Sequence, residues 1–313
     1  MSATVRHVIL AVVAFLAACE DGRPGGRRDA GEPPVAVDAG ADAAAPCQPQ
    51  IGPAYILSRL EVREAGEGRD FTGDGVPDNA LSVLGPFVNP GWVESITRGA
   101  SIFLFQILDW DDAPSANDPD VGFVFHEGQD ADSPADPSNN LTGEGRFYIK
   151  ATDYDVSCQA VGRYDEARIE NAVMLARTRQ WRWVNPWGWT IEFTDVEGRL
   201  TFAEDYRFLR DGQVTAVWTI CGLARSPFPG STTGTVLDAV VAGFQVAPDV
   251  DVDGDGLETL QVEGGQVTGC VDGQGAVLPG ADCVCDSHIA DGFSVAMEFE
   301  GITATIAGIK GGT

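Results

Sequence analysis

Two short stretches of this chain space their carboxylates as a hard cation requires. Asp251-Val252-Asp253-Gly254-Asp255-Gly256-Leu257-Glu258 sets an acid at every second position and then turns on a glycine. Asp70-Phe71-Thr72-Gly73-Asp74-Gly75-Val76-Pro77-Asp78-Asn79 repeats the arrangement, with Thr72 where the other loop has an acid. Calcium takes roughly six to eight oxygen ligands, and alternating oxygens on a tight turn converge on one point. Glycine makes such a turn without steric cost. The candidate ligands are Asp70, Thr72, Asp74, the Val76 carbonyl and Asp78 in the first loop. In the second they are Asp251, Asp253, Asp255 and the Leu257 carbonyl.

Both loops match positions 1, 3, 5 and 6 of the EF-hand loop. Both depart at position 12, where Leu81 and Val262 stand in place of a bidentate glutamate. No amphipathic helices flank them: Pro77 interrupts one, and Leu260-Gln261-Val262 alternates like a strand. They are therefore similar to the EF-hand-like calcium loops of thrombospondin type 3 repeats and related extracellular proteins. The resemblance covers about ten residues per loop. It implies one or two structural calcium ions, bound in the modest range of about 10⁻⁴–10⁻³ M because a ligand is missing. The competing reading is a polar turn that needs no metal. The rest of the chain resembles no particular family.

What carries these loops begins with an address. Behind Arg6 and His7, the apolar run Val8 to Ala18 ends in Leu16-Ala17-Ala18-Cys19. That run is too short for a spanning helix, which needs about 20 residues. It reads as the h-region of a signal peptide with small residues before the cleavage point. Leu16-Ala17-Ala18-Cys19 resembles the lipobox of bacterial lipoproteins. The resemblance implies residues 1–18 as signal peptide, a lipidated Cys19, and attachment to the outer membrane or cell surface of a bacterial envelope. Residues 19–46 are rich in Gly, Ala, Pro and Asp, without aromatics, and cannot bury enough apolar surface to order themselves. As a flexible coil they would span on the order of 30 Å and act as a spacer.

Residues 47–313 are long enough for a substantial core. If Cys19 carries lipid, six cysteines remain: Cys47, Cys158, Cys221, Cys270, Cys283 and Cys285. An even set in an exported chain fits disulfides, and a pairing of Cys270 with Cys283 or Cys285 is favoured because they flank one Gly-rich loop. Cys285 and His288, beside Cys270 and Cys283, offer a zinc- or copper-type alternative. Export and the scarcity of histidine beyond the leader (His126 and His288) favour disulfides.

Apolar runs bounded by Gly, Pro, Asn and Asp predict strands at Tyr55–Arg63, Ser101–Trp110, Val121–His126, Arg146–Thr152, Gln180–Val184, Trp187–Thr194, Gly198–Phe202, Gln213–Cys221, Val236–Val246 and Gly292–Ile309. Arg168–Arg177 reads as a further strand through the alternation of Ile169, Val173 and Leu175, although Ala172 to Ala176 also suits a helix. Asn185-Pro186 reads as a hairpin turn. One helix is expected over Asn89–Gly99, with Asn89 as N-cap, Pro90 at the first position and Gly99 past the end. The fold class is all-β, a jelly-roll-like β-sandwich with one or two short helices and long acidic loops. The stretches 109–120 and 130–140 are expected to be solvated acidic loops.

Forty-seven acids against 20 Lys plus Arg leave a net charge of −27, which removes nucleic acid as a partner. Trp181 and Trp183 share one face of a strand and Trp187 and Trp189 share one face of the next. They could present an aromatic platform to a glycan, or fill the core. No Gly-x-Ser-x-Gly elbow, phosphate loop or His-Glu-x-x-His helix occurs, and no pair among the many carboxylates stands out for glycoside hydrolysis. The function expected is a lipid-anchored, calcium-stabilised binding module for an envelope protein or glycan, with a glycan-acting hydrolase as the rival.

Overall fold

The structure, a computed structural model, describes residues 47–48, 50, 52–111, 116–184, 190–227, 234–286 and 289–310. The leader, Cys19 and the tether lie outside the described residues, as do Trp187, Trp189, His288 and the Asn185-Pro186 turn.

The chain is all-β and sandwich-like. Nine strands form one sheet. A first meander contains β1 (Ala54–Val62), β2 (Phe103–Leu108), β3 (Gly122–Asp130) and β4 (Arg146–Lys150). A second contains β5 (Glu166–Glu170), β6 (Val173–Val184), β7 (Thr190–Ala203) and β8 (Phe208–Thr219). Three further strands, β9 (Thr259–Glu263), β10 (Gln266–Val271) and β11 (Val277–Pro279), make a small separate sheet. The last strand, β12 (Gly292–Lys310), joins the two meanders. Its first part pairs with β8, its middle with β1, and its end runs parallel to β4.

Alternation along β1 and β2 explains why the sheet folds over. Tyr55, Leu57, Phe103, Phe105 and Ile107 enter a core shared with Phe193, Leu200, Val214 and Phe293 of the second meander and β12. Ile56, Leu104 and Leu108, on the opposite face, enter a second core with Val124, Phe147, Ile149 and Ile302. Each large apolar side chain removed from water contributes roughly 1.5–3 kcal/mol, so strands buried on both faces hold the two halves together.

Local readings depart from the structure at several places, among them Gly198–Phe202, which is the second half of β7 and not a strand of its own. The segment 168–177 is not one strand: β5 and β6 form a hairpin through Asn171 and Ala172, whose φ values of 53° and 59° make a tight two-residue turn. The Asn89–Gly99 helix begins earlier, as α1 (Gly85–Thr97) with Pro86 at its start and Gly99 past its end. Asn89 is not its cap, because its side chain bonds both the N–H and the carbonyl of Val62 on β1. After α2 (Ile220–Arg225), the run expected as strand Val236–Val246 is α3 (Val236–Asp238) continued by a wide turn at Ala239–Gly243. Thr235 and Asp238 cap its start reciprocally, and a run whose only polar side chains are Asp238 and Gln245 carries too little periodicity to separate helix from strand.

The cysteines pair as Cys47–Cys158, Cys221–Cys285 and Cys270–Cys283. Disulfide bonding removes the thiolates that a zinc or copper site at Cys270, Cys283 and Cys285 would need. No helix among the described residues is long and apolar enough to cross a membrane.

Candidate metal centre

The second acidic loop leaves the main sheet where Val250 and Gly292 exchange both backbone hydrogen bonds, at 3.1 and 3.3 Å. That pairing sets the loop beside Asp291, the residue before β12. The Asp251 carboxylate then shapes the turn, accepting N–H bonds from Gly254 (2.6 Å) and Gly256 (3.0 Å). Both glycines lie in the left-handed region, at φ 84° and 109°. Asp291 accepts the N–H of Val252 (3.1 Å) through one oxygen and that of Glu258 (2.9 Å) through the other, so it spans the loop from entry to exit.

This framework draws five carboxylates together. Asp251, Asp253 and Asp291 each offer an oxygen within 4.8 Å of the other two, and Asp253, Asp255 and Glu258 form a second such group. Asp251 and Asp253 face solvent, Asp255 is half-buried, and Glu258 and Asp291 are 4% and 0% exposed. Neither Glu258 carboxylate oxygen has a hydrogen-bond partner, and Oδ1 of Asp255 is likewise buried without one. Burial is the main cause that pushes Glu258 up to about 9. The neighbouring Asp291 carboxylate comes next, followed by the charges of Asp253 and Asp255. Asp255 is raised as well, by desolvation and then by Asp253.

A third segment closes the loop from above. The β10–β11 turn presses Gly273 onto it so closely that a Cβ there would stand 2.3 Å from the Gly256 carbonyl oxygen and 2.5 Å from Oδ1 of Asp255. Glycine is required by this approach. The Leu257 side chain is half-exposed.

The first loop uses its acids differently. Asp70 accepts N–H bonds from Gly73 (2.6 Å), Asp74 (3.2 Å) and Gly75 (2.8 Å), and the Gly75 bond leads the effects that hold its carboxyl below the usual range. Asp74 accepts from Val76 (2.8 Å), and Asp78 accepts from Phe71 (2.8 Å) and Thr72 (3.1 Å). The Thr72 hydroxyl stands 3.5 Å from Asp70, and the Val76 side chain is exposed. Among the described residues, Asp70, Asp74 and Asp78 are not in either converging acidic group. In the stretch 130–140, Asp130 likewise caps the N–H groups of Asp132 and Asp136.

Both loops root in the start of β12. Asn79 accepts the Ala296 N–H at 3.1 Å, and Ala80 donates to the Ser294 hydroxyl at 2.8 Å. Asp249, ahead of the second loop, accepts from the N–H and hydroxyl of Ser294. Burial raises the Asp249 carboxyl and the charge of Asp78 adds to the rise.

Of the tryptophans, Trp181 is half-buried, its ring 5.6 Å from Phe193 and tilted by only 11°, with Phe125 edge-on at 5.2 Å. Its ring packs against the core through Phe193 and Phe125. Trp183 lies on β6 opposite Ile191, but its side chain is outside the described set, and Trp187 and Trp189 are outside altogether.

Glu258 and Asp291 are the members of the site that the motif reading did not include. Glu258 stands at the end of the motif but at a position where the EF-hand pattern places no ligand. Asp291 is 33 residues beyond it, within reach because of the Val250–Gly292 pairing. Comparison with known protein families, curated proteins and solved structures finds no match to this chain.

Proposed function

We propose that this protein is a lipid-anchored extracytoplasmic module of a bacterial envelope, stabilised by structural calcium and serving to bind an envelope protein or glycan. The observation that carries the calcium part is the convergence of carboxylates at the second loop, on an all-oxygen donor set suited to a hard cation. Three disulfides support an oxidising compartment. The lipobox-like Leu16-Ala17-Ala18-Cys19 supports the anchor, and the −27 charge argues against attachment by surface electrostatics. Calcium here holds the fold and takes no part in chemistry.

Two measurements test the reading. Thermal unfolding of the full chain in EDTA, magnesium and calcium is expected to show a calcium-selective rise of several degrees. Calcium at 100 times Kd adds roughly 2.7 kcal/mol per independent site. Equal melting in all three would remove the calcium part. For the anchor, Cys19→Ala is expected to leave the chain unlipidated and free of the membrane fraction, and a variant still fractionating with membranes would remove it.

A further inference from the structure

We propose that Asp251, Asp253, Asp255, Glu258 and Asp291 form a single calcium centre, in which Glu258 and Asp291 supply the ligation that the loop lacks at Val262. The inference rests on the reading of the second loop as a calcium site and extends it to residues outside the motif.

The buried glutamate is the independent sign of a ligand. Glu258 is 4% exposed, neither oxygen has a hydrogen-bond partner, and one of them lies within 4.8 Å of carboxylate oxygens of Asp253 and Asp255. A buried carboxylate is retained when a partner or a metal offsets its desolvation. Among the described residues no Lys or Arg forms an ion pair with any of the five acids. What surrounds Glu258 is further negative charge, so a cation is the complement that fits. Asp253 belongs to both converging groups, which makes one shared centre the economical arrangement. Carboxylates alone select a hard ion that tolerates many ligands; that is calcium rather than magnesium, which keeps several of its waters.

The consequence is structural as well as chemical. Asp291 immediately precedes β12, the strand that joins the two meanders. An ion held by all five acids cross-links the loop to the root of that strand. It also binds more tightly than a loop with a missing ligand, with Kd below about 10⁻⁴ M.

Calorimetric titration of EDTA-stripped full chain with calcium chloride, with magnesium as control, tests this on wild type, Glu258→Gln, Asp291→Asn and Asp253→Asn. Glu258→Gln is expected to weaken calcium about ten-fold or more. In EDTA the same variant is expected to melt above wild type, because the amide needs no proton taken up to stay neutral beside Asp253, Asp255 and Asp291. That reversal of sign separates a ligand from a residue that merely packs. Asp291→Asn is expected to weaken calcium similarly, with its fold checked by circular dichroism. If Glu258→Gln binds like wild type while Asp253→Asn does not bind, the five-carboxylate centre is overturned and the loop reading stands. If wild type itself takes up no calcium, or prefers magnesium, both fall.

Discussion

In the loop at 70–78, the carboxylates of Asp70, Asp74 and Asp78 accept hydrogen bonds from the N–H groups of their own turn. In the loop at 251–258, Asp251 does the same, but Glu258 and one oxygen of Asp255 are left buried without partners, and Asp291 reaches in from the foot of β12. The spacing of acids and glycines is nearly identical. What differs is the surroundings. The first loop lies open to solvent, where water and main-chain donors satisfy its acids. The second is roofed by Gly273 and walled by Asp291, so Glu258 and Asp291 lie buried beside the more exposed Asp251, Asp253 and Asp255. Nearly the same spacing therefore serves two turns, and packing of further acids against the second assembles the centre proposed above.

The largest expected effect comes from removing that centre. Asp251, Asp253 and Asp255 all changed to Ala should abolish most of the calcium-dependent stabilisation, roughly 2.7 kcal/mol at calcium 100-fold over Kd, in melts with and without EDTA. The matching triple at Asp70, Asp74 and Asp78 should leave most of it. An equal loss from both triples would erase the contrast between the loops. Next, Gly273→Ala forces the β10–β11 turn off the loop and should cost about 1–3 kcal/mol by chemical denaturation, with weaker calcium uptake. Gly75→Ala meets no neighbouring atom and strains only the backbone, at φ 85°, so its calcium response should persist.

A smaller effect is read from pH. In EDTA, the Glu258 carboxyl titrates higher in the folded chain, near 9, than in the unfolded chain, near its ordinary 4.5. The folded state therefore holds the proton more firmly, and its stability should decline as pH rises from about 4.5 towards 9. Saturating calcium should flatten that decline, and Glu258→Gln should remove this contribution to it. A calcium-free slope that is the same in wild type and Glu258→Gln would show that Glu258 is not the group responsible. Smallest of all, Asp70→Ala removes a cap of the exposed first turn. Its modest fall in melting temperature should be equal with and without calcium.

Much of the strand pattern was legible because alternation over five or more residues survives whatever the tertiary context. The ends of β1, β4 and β12 lie within two residues of their expected places. The Asn171–Ala172 turn was hidden because alanine at φ 59° has no propensity signal; main-chain bonds from Asn171 and Ala172 to the segment at 116–117 hold it there. The helix at Val236 was hidden for another reason, a mostly apolar run with only Asp238 and Gln245 to mark a face. Of the small β9–β11 sheet only the alternation at Leu260-Gln261-Val262 was legible, because its strands are short and mostly exposed; the sheet is stapled by Cys270–Cys283.

The address-like leader, the excess of acid and the two turns that present it are properties of neighbouring residues. Backbone preferences and charge spacing act over a handful of positions, so composition and order suffice to read them. Which turn gathers a complete set of carboxylates is not a local property. It depends on the pairing of Val250 with Gly292, which carries Asp291 across 33 residues to the Glu258 N–H, and on a glycine that lets β10–β11 close over both. Burial and long-range register set those distances, and they exist only once the strands have packed.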